Sequence, residues 1–77
     1  MARRLPVVSG KRVVRALQKR GFEVQRVRGS HHLLRHPGPP VRNVTVPVHG
    51  NKPLKRATVS SIIKQAGLSV DAFVALL

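Results

Sequence analysis

The stretch Gly29-Ser30-His31-His32-Leu33-Leu34-Arg35-His36 stands near the middle of the chain and holds three of its four histidines. Gly-Ser is a turn signal, and the six residues that follow have the length of a short strand. Residues 22–28, just before the turn, form a run of the same kind. We therefore predict two strands, residues 22–28 and 31–36, paired as an antiparallel hairpin. Simple alternation places four residues on one side of the first strand: Phe22, Val24, Arg26 and Arg28.

A third strand is predicted over residues 41–48. The segment Pro37-Gly38-Pro39-Pro40 ends the second strand and should form an exposed loop. Beyond it, valine recurs at positions 44, 46 and 48, so the valines should face the core. Pro47 has no N–H for a ladder hydrogen bond, which places this strand at a sheet edge or places Pro47 near its end.

Helices are predicted on both sides of the strands. Ser9 can cap a helix over about residues 10–20, which Gly21 would end. A second helix should span about residues 58–66 and end at Gly67. Ser69 can cap a last short helix, whose apolar side either completes the core or docks on another chain; that side holds Val70, Phe73, Val74 and Leu77.

The predicted fold is α+β, in the order α-β-β-β-α. A three-stranded antiparallel sheet would carry helices on one face and leave the other face open for a ligand. The 77 residues are enough for one domain. Within it, residues 1–8 should be a flexible lead-in and residues 69–77 an extra C-terminal helix.

The charge of the chain points to a polyanionic partner. Fifteen lysines and arginines stand against Glu23 and Asp71 alone, which gives a formal net charge of +13. Such an excess opposes folding by self-repulsion, and phosphate neutralisation is its usual reason. The alternative is a basic surface kept for solubility. The absence of long apolar runs speaks against a membrane.

The absence of cysteine excludes disulfides and thiolate metal sites. The N-terminal charges have no apolar segment behind them, so no secretion signal is expected and we predict a cytoplasmic protein.

Three segments together resemble HicA toxins, also called YcfA-like proteins. They are Gly29-Ser30-His31-His32, Thr45-Val46-Pro47-Val48-His49-Gly50-Asn51-Lys52 and Ser61-Ile62-Ile63-Lys64-Gln65-Ala66-Gly67-Leu68. The resemblance spans about residues 10–68. It implies a fold similar to double-stranded RNA-binding domains, RNA-cleaving activity, and an antitoxin partner, HicB. It also implies that a histidine after the Gly-Ser pair is catalytic. We predict no cofactor.

His31 and His32 compete for that catalytic role. A metal-free ribonuclease needs a base for the ribose 2′-hydroxyl, and a histidine, with an ordinary pKa of about 6.5, suits this near neutral pH. Neighbours on a strand point to opposite faces, so one of the two histidines should lie on the open face. We favour His31, which directly follows Gly-Ser as in the motif. His32 would then pack under the helices.

Further residues are candidates for binding RNA. Lysines and arginines can stabilise the charge on the reacting phosphate, and backbone N–H groups at a helix N-terminus favour phosphate. Ser30 could instead serve the turn, and the basic loop could simply be solvated. The predicted RNA-binding set is Arg26, Arg28, Gly29, Ser30, Lys52, Lys55 and Arg56.

The other two histidines leave several roles open. His36 and His49 end the second and third strands, and each could be a general acid, a phosphate contact or a polar strand end. A zinc site is disfavoured, because His32 and His36 have helical spacing but lie on a predicted strand, and no cysteine or nearby carboxylate helps them. We predict no metal.

The sequence therefore predicts a toxin that cleaves messenger RNA without metal and is held inactive by an antitoxin. A binding module for double-stranded RNA or other nucleic acid, without catalysis, is the alternative and would need no histidine. A third possibility is a small interaction protein, whose weak RNA binding would hardly respond to salt.

Overall fold

The computed structural model describes residues 4–77. Its elements are, in chain order, α1 (Gly10–Lys19), β1 (Glu23–Arg28), β2 (His31–His36), β3 (Arg42–Pro47), α2 (Arg56–Ala66) and α3 (Val70–Val74). The strands form one sheet in the order β1-β2-β3, and both pairs are antiparallel. The predicted α-β-β-β-α architecture is confirmed, and Pro47 is the last residue of an edge strand.

Three helix boundaries lie at the residues whose capping signals predicted them. The Ser9 hydroxyl accepts the Arg12 N–H at 3.3 Å, and the Ser69 hydroxyl accepts the Ala72 N–H at 3.1 Å. Gly67 ends α2. At its other end α2 begins at Arg56, two residues before the predicted start, with Lys55 at the cap position and no side-chain cap.

The core lies between the helices and one face of the sheet. Leu34, whose side chain is 1% exposed, belongs to this core. Phe22 and Phe73 are also buried in it, with 3% and 0% of their surface exposed. Phe73 belongs to α3, so the C-terminal helix completes the core of its own chain through this ring. The other buried side chains are Val8, Val13, Val14, Ala16, Leu17, Val44, Val46, Val59, Ile62, Ile63 and Ala66.

The segment before α1 is packed at its end. Residues 1–3 of the predicted lead-in lie outside the described residues. Val8 is 2% exposed, and its carbonyl accepts the Leu54 N–H at 2.8 Å. The lead-in is therefore part of the fold at Val8. Across residues 4–77, every helix is too short or too polar to span a bilayer.

Gly10 lets α1 start directly on the sheet. A Cβ at this position would overlap the Pro47 carbonyl oxygen and lie 3.0 Å from the Val48 Cα. Both obstacles are backbone atoms, which cannot rotate away. The helix N-terminus thus rests against the end of β3, and this contact fixes α1 relative to the strand beside His31.

We expect Gly10→Ala to lower the free energy of unfolding by about 1–3 kcal/mol, because overpacking against backbone outweighs the gain of at most about 1 kcal/mol in helix propensity. Urea unfolding followed by circular dichroism measures this. Gln18→Ala, at an exposed position of the same helix, is the matched control and should be neutral or slightly stabilising. A Gly10→Ala protein as stable as the parent would contradict the described contact.

Candidate active site

Alternation along β2 separates the two adjacent histidines. Leu34 points into the core, so His32 and His36 share its side of the sheet while His31, Leu33 and Arg35 lie on the other. His31 is exposed and His32 is half-buried. The open face therefore carries His31, at the first residue of the central strand.

A β-bulge at Gln25 decides where the arginines of β1 point. Val24 pairs with Leu34, but Arg26 pairs with Leu33, so one extra residue stands in β1 between them. The prediction that Phe22, Val24, Arg26 and Arg28 share one side is therefore wrong. Val24 faces the core, whereas Arg26 and Arg28 face the open side.

Arg28 is the direct cross-strand partner of His31. Side chains of directly opposed residues start about 5 Å apart, close enough for both to contact one small group. Both side chains are exposed. A histidine and a guanidinium thus stand side by side on the solvent face at the end of the sheet.

The hairpin turn and the loop after β3 meet at this same end. His31 pairs with Pro47 on β3, and the Val48 N–H donates to the Ser30 carbonyl at 2.6 Å. Gly29 has φ +57°, a left-handed conformation that glycine adopts without strain. The predicted residues Gly29 and Ser30 are therefore backbone elements of the end that carries His31.

The basic loop extends this surface toward α2. The Lys52 N–H donates to the His49 carbonyl at 3.0 Å, which makes a turn directly after β3. Lys55 caps α2 through its backbone and Arg56 is the first helical residue. All three cations are exposed. Without an acidic residue in its first turn, the α2 N-terminus keeps its positive character.

A shallow groove of about 460 Å³ lies on the open face over Leu33, two residues along β2 from His31. Leu33 forms an apolar floor, and Arg26 and Arg35 flank it. Arg35, Asn43 and Thr45 were not among the predicted binding residues. For Arg35 the signal was present in the sequence, because it stands four residues after His31 on the same strand and shares its face.

His32 has a structural position. It pairs with Val27 and Val46, and it lines a small pocket beside Arg15 and Gln18 of α1. Its Nδ1 atom is buried and has no hydrogen-bond partner among the described residues. The expectation that one histidine packs under the helices agrees with this geometry.

His36 lies at the far end of β2, and its ring makes contacts there. Its Nδ1 accepts the Gly38 N–H at 2.9 Å, so the neutral ring carries its proton on Nε2. The ring also packs on Phe22, with centroids 5.2 Å apart. Here Arg20 and Arg42 line a cleft with His36. His36 therefore serves as a polar strand end, five positions along β2 from His31.

Carboxylates and metal-binding clusters do not define the site. Glu23 pairs with Arg35, toward the opposite end of the sheet from the Arg28–His31 pair. Asp71 lies in the first turn of α3. Within residues 4–77, no three histidine or acidic side chains gather closely enough to hold a metal ion. The side chains that the open face presents at this end of the sheet are a histidine and an arginine.

Comparison with known families gives one result that bears on this site. A family model described as the HicA toxin of bacterial toxin–antitoxin systems matches residues 10–68, which is more than half of the chain. The match includes all three strands, α1 and α2. A comparison with curated proteins gave no match.

We expect His32→Leu to raise the free energy of unfolding by about 1 kcal/mol. The substitution removes a buried polar atom without a partner, and such an atom costs about 1–3 kcal/mol. Urea unfolding measures the change. The matched control is His31→Ala, which alters an exposed neighbour and should stay within about 0.5 kcal/mol. A clear loss of stability in His32→Leu would show that Nδ1 has a favourable partner.

Proposed function

Because the chain belongs to the HicA toxin family of bacterial toxin–antitoxin systems, we propose that it is a metal-independent endoribonuclease that cleaves messenger RNA. The observation that carries the proposal is the Arg28–His31 pair on the open face of the sheet. A base and a cation stand together there, exposed to a polymeric substrate.

His31 is the general base of the proposed reaction. It takes the proton from a ribose 2′-hydroxyl, and the 2′-oxygen attacks the adjacent phosphorus. The bond from phosphorus to the 5′-oxygen of the next nucleotide breaks. The products are a 2′,3′-cyclic phosphate and a 5′-hydroxyl, so no external oxidant or metal enters the balance.

Arg28 is the cation for the transition state. The phosphate gains negative charge as the 2′-oxygen attacks, and a fixed guanidinium next to it stabilises that charge. Arg26 lies on the same face, two residues before Arg28, beside the groove over Leu33. It would contact the neighbouring phosphate or sugar.

The remaining predicted residues hold the RNA backbone. Gly29 and Ser30 lie in the turn that leads into His31, and their backbone and hydroxyl groups are available to a phosphate. Lys52, Lys55 and Arg56 carry positive charge toward the α2 N-terminus. Such contacts position the strand without reading its sequence.

An antitoxin of the HicB type is the proposed regulator. An acidic domain laid over the open face would cover His31 and offset part of the +13 charge. The arginines that bind RNA phosphates would then bind its carboxylates. We place the reaction in the cytoplasm, where both messenger RNA and such a partner would be met.

We expect the purified chain to cleave labelled single-stranded RNA in EDTA. His31→Ala should reduce the rate by about 10²–10⁴-fold, the contribution of a positioned base. His32→Leu, which keeps the open face intact, should cleave like the parent. The measurement is the rate of appearance of 2′,3′-cyclic phosphate ends on a denaturing gel.

Two other outcomes have distinct meanings. If His32→Leu were inactive and His31→Ala active, the base would be His32 and the open face would not be the active face. If the parent bound RNA with a steep salt dependence but never cleaved it, the chain would be a nucleic-acid-binding module without catalysis.

Arg28→Ala should lower kcat by about 100-fold, the usual loss when one donor to a developing anion is removed. Arg28→Lys should recover part of that loss, because the charge returns without the planar guanidinium. The control is Lys64→Ala, which removes an exposed cation from the last turn of α2. If Arg28→Ala and Lys64→Ala lost equal amounts of activity, Arg28 would contribute only general electrostatic attraction of RNA and no specific stabilisation of the transition state.

A further inference from the structure

The proposed cleavage leaves one proton transfer without a donor. When the bond to the 5′-oxygen breaks, that oxygen leaves as an alkoxide unless a group protonates it. Arginine cannot supply this proton, because it stays protonated in proteins. We propose that His49 is the general acid that protonates the leaving 5′-oxygen. This inference rests on the proposed function.

The register of β2 and β3 brings His49 to His31. Pro47 is the direct partner of His31, and the Val48 N–H bond to the Ser30 carbonyl continues the pairing one residue beyond β3. Val48 is half-buried and lines the His32 pocket on the helix side. Continuing the alternation of β3 one residue past Val48 assigns His49 to the open side.

His49 is therefore the diagonal neighbour of His31. Diagonal positions across an antiparallel pair lie about 7–8 Å apart, within reach of two imidazole rings that hold one phosphate between them. His49 is exposed, and the turn closed by the Lys52 N–H on its carbonyl holds its backbone in place. Arg28 flanks His31 on the opposite side.

The other histidines cannot take this role. His32 lies on the helix face of the sheet. His36 lies on that face as well, at the far end of β2, with its Nδ1 already bonded to the Gly38 N–H. Among the four histidines, His31 and His49 are the pair that the sheet brings to one face and one end.

The proton balance of the step closes with these two residues. His31 accepts the proton of the 2′-hydroxyl and becomes positively charged. Protonated His49 gives its proton to the 5′-oxygen as the P–O bond breaks and becomes neutral. Hydrolysis of the cyclic phosphate in the reverse sense, or exchange with water, returns both to their starting states.

The test uses two RNA substrates that differ in the leaving atom. A cleavage site of the wild-type protein is first mapped on a short RNA. The same RNA is then made with sulfur in place of the bridging 5′-oxygen at that site. A thiolate is a far weaker base than an alkoxide, so its departure does not need an acid. Rates are measured for the wild type, His49→Ala, His49→Gln and His31→Ala.

We expect His49→Ala and His49→Gln to cleave normal RNA at least about 100-fold more slowly than the wild type. On the sulfur-containing RNA, their loss should shrink to less than about tenfold. His31→Ala should lose activity on both substrates, because the 2′-hydroxyl still needs a base. The control His36→Asn, whose amide oxygen can still accept the Gly38 N–H, should show the wild-type ratio of the two rates.

Equal losses of the His49 variants on both substrates would overturn the inference and make His49 a binding or folding residue. Unchanged cleavage of normal RNA by both variants would overturn it as well. In either case active wild type and inactive His31→Ala would leave the proposed ribonuclease function standing. If the wild type cleaved neither RNA, the proposed ribonuclease function would be overturned, and with it the assignment of His49 as the general acid.

Discussion

The fixed side of Leu34 in the central strand is the constraint on which the site depends. A strand has a period of two, so the burial of one residue decides the direction of every other residue in it. Leu34 is 1% exposed at the middle of the sheet, between Val24 and Val44. A slip by one residue would expose this side chain at a cost of about 2–3 kcal/mol and turn His31 inward.

The pairing of β1 and β3 with β2 determines which of their residues face the open side, and the two strands do this differently. On β3 a regular register repeats the alternation, and Val44 and Val46 lie inside opposite Leu34 and His32. On β1 the bulge at Gln25 shifts it, so Val24 stays in the core while Arg26 and Arg28 face outward. Without the bulge, Val24 and the two arginines would share one face, and the arginines could not point outward while Val24 stayed in the core. The irregular residue is thus what adds cations to the histidine face.

Much of the fold could be predicted because its elements are bounded by strong local signals. Ser9, Gly29, Gly67 and Ser69 each act on adjacent backbone, and β2 was predicted with its observed bounds. The bulge could not be predicted, because Gln25 has no conformational signature and the extra residue is defined only by pairing with β2. The early start of α2 could not be predicted either, because Lys55 caps the helix without a side-chain hydrogen bond and so leaves no signal in the sequence. For the site, the motif pointed to His31, and alternation along β2 puts Arg35 on the same face. Asn43 and Thr45 join the groove only through the register of β2 and β3.

The positive charge of the chain affects both the stability of the fold and the binding of its proposed partners. With a formal charge of +13 on 77 residues, self-repulsion acts against a small core whose largest buried side chains include Phe73, Leu17, Leu34 and Ile62. Any ligand that binds the folded state and neutralises the open face also stabilises the fold. RNA and an acidic antitoxin would compete for the same arginines and both would hold the sheet together. The surface proposed to bind RNA is then also the surface through which the proposed antitoxin would silence the chain, since covering Arg28 would also cover its cross-strand partner His31.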